Sequence, residues 1–349
     1  MRAHVYRNTP RNLALLARVL RNGGLVAVPS ETVYGLAADA LNPEACRKIF
    51  AAKGRPATDP LIVHIARFED LDRVAVSNPA ALKLARAFWP GPLTLVLPKK
   101  AVVPDAVTSG RNSVAVRMPA HPAFLRLLRL AGTPLAAPSA NPFGYVSPTT
   151  ARHVQDGLGE RIGHILDGGA CRIGIESTIV DLRDSSRPRI LRPGAITADE
   201  LQRILKRPVS LQPMRTQRSA TAQIAPGQLA RHYSPATPVR LHPKIRTTLI
   251  AATDQTSDGT ARQRVGPAAG KEAWVFLKRP PQTVLRACGD GPVRWLDRVG
   301  DLRGAARRLF AVLRELDGLG LSAIHVEIPA GAGLAEAIRD RLARASGRP

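Results

Sequence analysis

The 349-residue chain carries 51 Lys and Arg against 27 Asp and Glu, a formal charge of +24, and is 44% hydrophobic but only 4% aromatic. That length exceeds what one hydrophobic core usually organises, so two domains are expected, and cores of Ala, Val, Leu and Ile suit α/β layers better than an aromatic-rich recognition sandwich. No apolar run reaches membrane-spanning length, and three distant cysteines without a Cys-x-x-Cys read as reduced thiols of a cytoplasmic protein rather than a disulfide framework.

The charge fits an anionic partner such as RNA, a nucleotide or a membrane surface. A compositional bias fits it too, because only nine of the basic residues are lysine and the arginines are scattered among Ala, Gly and Pro through both halves. The opening Met1-Arg2-Ala3-His4-Val5-Tyr6 is not followed by a signal-type apolar core. Residues 12–20 form a plausible amphipathic helix, stopped by Asn22-Gly23-Gly24. Leu25-Val26-Ala27-Val28 then reads as a short buried strand. It ends in Pro29-Ser30-Glu31-Thr32, hydroxyls and a carboxylate gathered at a strand's C-terminal end, where ligands of open α/β sheets usually bind.

After a turn-rich polar loop, Asn42-Pro43-Glu44 has the form of a helix start, and the helix runs to Lys53 before Gly54 and Pro56 stop it. Lys53 and Arg55 are thereby presented at a helix C-terminus, beside a second buried strand at 61–65. Alone, such a pair serves the helix dipole, and a lone His64 in an apolar strand is a satisfied core residue. A helix is expected at 79–88, ending at Trp89-Pro90-Gly91-Pro92, with strands at 93–97 and 113–116. Between those strands lies the polar loop Val107-Thr108-Ser109-Gly110-Arg111-Asn112. Leu135-Ala136-Ala137 leads into Pro138-Ser139-Ala140-Asn141, another strand end rich in small polar groups. Pro142, Gly144 and Pro148 keep the next loop irregular, and Thr149-Thr150 can cap a helix from Ala151. Strands at 176–182 and 189–191 complete a mixed sheet with helices on its faces.

From about Pro208, Gln, Ser, Thr, Arg and Pro replace periodic apolar residues, the composition of a linker. Beyond Val239 come a polar structureless run at 252–270, the apolar run Trp274-Val275-Phe276-Leu277, a helix at 302–316, a strand at 323–328 and a helix at 334–345. These read as a small α/β domain. The expected division is 1–207, 208–238 and 239–349.

No Gly-x-Ser-x-Gly elbow, Walker A loop or spaced metal-ligand cluster is present. Strand ends carrying Ser, Thr, Asn and Arg instead suit holding a nucleotide and an amino acid by positioning and charge. Pro29-Ser30-Glu31-Thr32-Val33-Tyr34-Gly35-Leu36, Lys53-Gly54-Arg55-Pro56-Ala57-Thr58-Asp59-Pro60-Leu61 and Val63-His64 form three ordered blocks. Ser113-Val114-Ala115-Val116-Arg117-Met118-Pro119 follows, then Pro138-Ser139-Ala140-Asn141-Pro142 with Ser147-Pro148-Thr149, and Glu176-Ser177-Thr178-Ile179-Val180-Asp181 with Leu191-Arg192-Pro193-Gly194. Together these blocks resemble the signature of the L-threonylcarbamoyladenylate synthases, except that Asp59 stands where that family usually has Asn or His. Pro226-Gly227 and His232-Tyr233-Ser234-Pro235 resemble an element of the family's two-domain members, and the chain's last residues resemble its C-terminal domain.

The resemblance implies an α/β fold: a YrdC-like twisted mixed sheet flanked by helices, then a linker that folds back over the first domain's pocket, then a smaller Rossmann-like α/β domain. It implies that the amine of L-threonine takes up carbon dioxide derived from bicarbonate, and that the carbamate attacks the α-phosphate of ATP and releases pyrophosphate, with Mg²⁺ on the phosphates. The product would serve N6 modification of a tRNA adenosine, with tRNA or tRNA-modification proteins as downstream partners and no membrane. Carried over position by position, Thr32, His64, Arg117 and Ser177 would form the threonine site, with Arg117 facing the carboxylate. Arg55, Asp59, Ser113, Ser139, Asn141, Thr149, Arg192 and Tyr233 would surround ATP, Lys53 and Arg55 would be catalytic, and no side chain is expected to ligate a metal. Two other readings stand beside this one: a non-catalytic module that binds structured RNA on a basic concave sheet, and a carbamoyl-transfer accessory domain, whose usual zinc-finger and kinase-like companions this chain lacks.

Overall fold

The structure, a computed structural model, describes residues 2–212, 223–227, 232–254 and 271–347. Strands β1 (His4–Arg7), β2 (Val26–Val28), β3 (Gly35–Asp39), β4 (Ile62–His64), β5 (Leu93–Pro98), β6 (Ser113–Arg117), β7 (Leu135–Ala136), β8 (His164–Asp167), β9 (Thr178–Asp181), β10 (Arg189–Arg192) and β11 (Ser210–Leu211) form one sheet. Their spatial order is β1-β8-β2-β3-β7-β4-β6-β5-β9-β10-β11. The sheet is mixed: β4 runs parallel to β6 and β5 parallel to β9, whereas β5 and β6 are antiparallel.

Period-two alternation places the site. Val63, Leu95, Leu97, Val114, Val116 and Val180 point into the main core, where Ala81, Leu84 and Ala85 of the helix Pro79–Phe88 meet them. The alternate residues Ile62, Val96, Ala115 and Ile179 make a separate apolar patch on the other face, covered by Ile224 and Ala225 from the stretch expected as linker. Ser113 and Arg117 share that second face of β6, and His64 shares it on β4. A floor of apolar residues flanked by polar ones follows from the sequence alternation alone.

The helix Pro43–Lys53 has the expected ends. Asn42 accepts the backbone N–H groups of Glu44 and Ala45, and Gly54 closes the helix in the left-handed region at φ 63°. Several features depart from the sequence reading. β3 occupies the stretch read as a turn-rich loop; its Gly-Leu-Ala-Ala-Asp run lacks β-branched residues, but β2 and β7 pair it on both sides. Helices Pro122–Ala131 and Ala198–Leu205 and the strands β1 and β8 also stand in stretches read without structure. The polar loop at 107–112 begins as the end of a short helix, Asp105–Thr108, which Ser109 terminates at φ 55°. The run at 252–270 lies outside the described residues from 255 onward, and 252–254 end a helix, Thr247–Asp254.

Strands β12 (Val239–His242), β13 (Glu272–Lys278), β14 (Val293–Asp297) and β15 (Ala323–Glu327) form a second, all-parallel sheet in the order β12-β15-β13-β14. The helix Leu302–Asp317 buries Ala306, Leu309, Phe310 and Leu313 in a core that continues without a break into Val33, Val146, Ile175 and Tyr233. This smaller domain is therefore packed onto the first through shared apolar surface. Polar ties reinforce the contact: Arg314 donates to the carbonyls of Val146 (2.6 Å) and His153 (3.3 Å), and the Tyr145 hydroxyl donates to Asp317 (2.7 Å).

The two domains approach closely at Gly174, where a Cβ would lie 2.4 Å from the Cα of Arg307 and φ is +84°. Gly174→Ala is expected to push the small domain off its seat, raising the radius of gyration in small-angle scattering and lowering the thermal midpoint. Gly163→Ala, where a Cβ meets nothing within 4 Å, is the control and should change neither.

Candidate active site

The ends of β4 and β6, the loop after β2, the turn before β9 and the segment around Tyr233 converge on one cavity of about 40 Å³. Arg117 is held on three sides: Nη2 donates to Glu31 (2.6 Å), Nη1 to the Thr32 hydroxyl (3.0 Å) and Nε to the Gly91 carbonyl (3.2 Å). Burial raises the pKa of Glu31, but Arg117 more than offsets this and the carboxyl lies below the usual range. His64 sits beside Phe124 and points Nδ1 at the Ile62 carbonyl, 3.2 Å away. A carbonyl only accepts, so Nδ1 carries the hydrogen and Nε2 is left as an acceptor. Burial, and then Arg117, push the imidazole down to about 3, so it is neutral at physiological pH.

Arg55 donates to the carbonyls of Asp59 (3.0 Å) and Pro60 (2.8 Å) and pairs with the Asp59 carboxylate (3.0 Å). Arg192 donates to the carbonyl and the hydroxyl of Ser177, both at 3.0 Å. Of the three guanidinium groups on the cavity wall, it alone has no carboxylate partner among the described residues. The roof is Pro226, Gly227, His232 and Tyr233. Tyr233 is buried, adopts φ 60° and stacks on Phe310 with ring centres 5.5 Å apart. A Cβ on Gly227 would come within 2.8 Å of its hydroxyl, so only glycine permits this closure.

Of the residues the motifs singled out, Thr32, Arg55, His64, Arg117, Ser139 and Arg192 line one cavity and Tyr233 roofs it. Lys53 does not reach it. Its ammonium lies behind, donating to the Ser139 carbonyl (2.6 Å) and to that of Asn141, and burial, followed by Arg55, draws its pKa well below the ordinary value. Asp59 likewise stands behind Arg55, and Ser177 behind Arg192. Ser113, Asn141 and Thr149 are buried outside the cavity, Thr149 against His153 (3.3 Å). Asp59 Oδ1, Ser113 Oγ, Asn141 Oδ1 and the Tyr233 hydroxyl have no hydrogen-bond partner among the described residues. Buried polar atoms are rarely left so, and of these four the Tyr233 hydroxyl belongs to a residue lining the cavity, where a polar ligand would complete its bonding.

Glu176 was given no role in the sequence reading, yet it lines the cavity. Its two oxygens accept from the Ser147 hydroxyl (2.6 Å) and from Arg341 of the small domain (2.7 Å). The available signal was its position directly before Ser177 in a quoted block.

A mixed α/β sheet whose strand ends close over a cation-walled cavity defines a protein that binds small anionic ligands. Residues 18–194 match the profile of the Sua5/YciO/YrdC family, described as telomere recombination, and residues 196–347 match that of the threonylcarbamoyl-AMP synthase C-terminal domain. The chain is 40% identical over 337 residues to the threonylcarbamoyl-AMP synthase of Pyrococcus abyssi, covering 96% of this chain and 94% of the relative. It is 38% identical to that of Bacillus subtilis, covering 97% and 94%. The crystal structure of the Pyrococcus abyssi protein complexed with L-threonine superposes with a TM-score of 0.87 at 38% identity, covering 99% of this chain and 98% of the other. The chain belongs to the threonylcarbamoyl-AMP synthase family, in its two-domain form.

His64 supplies a pH test. Its folded pKa near 3 lies below the ordinary 6.5, so the unfolded chain binds the proton first and stability is lost as pH falls from about 6.5 toward 3. His64→Gln should therefore shift the acid-unfolding midpoint, followed by circular dichroism, to lower pH. An unshifted midpoint would show that His64 is not buried as a neutral ring.

Proposed function

We propose that the protein joins L-threonine, carbon dioxide derived from bicarbonate, and ATP into threonylcarbamoyl-AMP and pyrophosphate, supplying N6 modification of a tRNA adenosine in the cytoplasm. The observation that carries this reading is the polarity of the cavity: an anchored, charge-balanced Arg117 beside a neutral His64 on one side, and Arg192 without an acidic partner on the other. The names of the relatives support it, as does the threonine held by the Pyrococcus abyssi protein.

On this reading Arg117 meets the threonine carboxylate, and Nε2 of His64 accepts from the substrate's hydroxyl or amine without repelling it. The neutral amine nitrogen bonds to carbon dioxide and gives up a proton to water, forming the carbamate. A carbamate oxygen then bonds to the α-phosphorus of ATP as the bond to the β-phosphate oxygen breaks, and the electron pair leaves with pyrophosphate. Arg192 and Arg55 face the negative charge of the phosphates, and the Tyr233 hydroxyl takes one of them as its missing partner. Lys53 acts through the Ser139–Asn141 turn whose carbonyls it holds. On this reading Mg²⁺ would be held chiefly by the phosphates and water, as it commonly is with nucleotides.

The roof at Gly227 and Tyr233 lies over the wall that would receive ATP, and on this reading it opens for entry and closes for chemistry. Closure protects the carbamate, which is labile in water. A pocket walled by buried side chains favours small ligands over a concave RNA-binding surface. Among the described residues no helix is long and apolar enough to cross a membrane.

Pyrophosphate release should require both threonine and bicarbonate; equal release without threonine overturns the reading. Arg55→Ala and Arg192→Ala should each slow turnover by about two to three orders of magnitude, the scale of removing one preorganised charge-stabilising donor. Near-normal rates in folded variants would remove both residues from the site.

A further inference from the structure

A charged side chain of the small domain reaches a residue of the cavity wall. Arg341, on the helix Leu334–Ala345, is fully buried and donates from Nε to Glu176 (2.7 Å) and from Nη1 to Asp340 (2.6 Å). Its guanidinium carbon lies 5.4 Å from the centre of the Tyr233 ring, so the same group touches the wall and the roof. Glu176 immediately precedes Ser177, whose carbonyl and hydroxyl hold Arg192. The charge of Glu176 acts on both guanidinium groups. One carboxylate therefore stands between two buried cations, hydrogen-bonded to Arg341, while Arg192 is left without an acid.

We infer that Arg341 is a positioning residue that reserves Arg192 for the phosphates of the nucleotide, by holding Glu176 on the side of the small domain. The inference rests on the function proposed above and gives the second domain a task in it. A buried carboxylate deprived of its counter-ion must find another cation or take up a proton. Arg192, held by the residue next to Glu176 and within reach of its charge, is the cavity-wall cation without an acidic partner among the described residues. Once Glu176 turned to it, the wall would hold no guanidinium free of carboxylate, and ATP would have to displace an internal ion pair in order to bind. Arg117 is not part of this exchange, because Glu31 and Thr32 already hold it. ATP and threonine should therefore respond differently to the loss of Arg341.

The test is titration calorimetry of the full chain with ATP and with L-threonine, each alone, beside thermal unfolding of every variant. Arg341→Met, which keeps an apolar contact on the Tyr233 ring, should weaken ATP binding by about ten- to a hundredfold, the loss of one hydrogen bond to a charged group, and change threonine binding by less than about threefold. Adding Glu176→Gln to Arg341→Met should bring ATP affinity back toward wild type without restoring the lost contacts to the small domain. Arg341→Lys, which keeps the charge but not the two-pronged fork, should fall between. If Arg341→Met does not fold, the lysine variant and the double variant decide by the same comparison. Equal ATP affinity in Arg341→Met and wild type overturns the inference. So does a parallel loss of both ligands, or a folded double variant that fails to recover, because each describes a residue that only holds the domains together. A wild-type chain that binds no ATP overturns the proposed function itself, before any variant is compared.

Discussion

The constraint on which the rest of the structure depends is the burial of several positive charges around one small space. Arg55, Arg117, Arg192 and Arg341 are all nearly inaccessible, and Lys53 lies directly behind them. Like charges gathered in a poorly solvated interior repel one another and lose hydration, so such a cluster persists only where acids and carbonyls are fixed against it. Glu31 answers Arg117, Asp59 answers Arg55, Glu176 answers Arg341, and backbone carbonyls answer Lys53. The loops that carry these acids are the same loops that carry the motifs, which explains why so much of the sequence pattern lies at strand ends rather than inside strands. Arg192 is the remainder after this matching, and a phosphate is the natural group to complete it.

The matching also explains why the cavity needs both domains. Glu176 is satisfied from the first domain by Ser147 and from the second by Arg341, while Tyr233 leans on Phe310 of the second domain and roofs the first. The apolar cluster that includes Val33, Val146 and Ile175 continues through Tyr233 into the helices of the small domain. Opening the roof therefore disturbs a hydrophobic contact, a ring stack and the surroundings of a buried ion pair together. Contacts coupled in this way make two discrete arrangements, closed and open, more natural than a continuous range.

Much of this was legible in the sequence, for reasons that can be named. The helix Pro43–Lys53 announced both ends through Asn42, Pro43 and Gly54, and that fixed where Lys53 and Arg55 emerge. Alternation along 61–65 and 113–117 fixed which side chains share a face, and the motif blocks brought Thr32, His64, Arg117, Ser139, Arg192 and Tyr233 to one wall. The depth of a side chain was not legible. Lys53 and Arg55 are two residues apart in one block, yet the helix end turns one toward the Ser139 and Asn141 carbonyls and the other toward the cavity. Nor was the partner of Glu176, because Arg341 stands on an amphipathic helix whose sequence gives no sign that two of its arginines, Arg341 and Arg344, are buried. β3 was missed because its small residues carry no strand preference of their own and take their conformation from neighbours on both sides.

Asp59 is the position at which this chain departs from the pattern it otherwise resembles, and the geometry gives the departure a physical sense. Its carboxylate is fully buried 3.0 Å from Arg55. Burial raises its pKa on balance, although Arg55, Lys53 and Arg192 all pull it down. A neutral side chain there would leave Arg55 as a second uncompensated charge facing the ligand. With an acid there, Arg55 is balanced within the protein and serves chiefly to direct hydrogen bonds, so the net attraction for an anion is concentrated on Arg192. That makes the state of Arg192 decisive for this chain, and it is why the carboxylate of Glu176, next to the residue that holds Arg192, has to be kept engaged from the other domain.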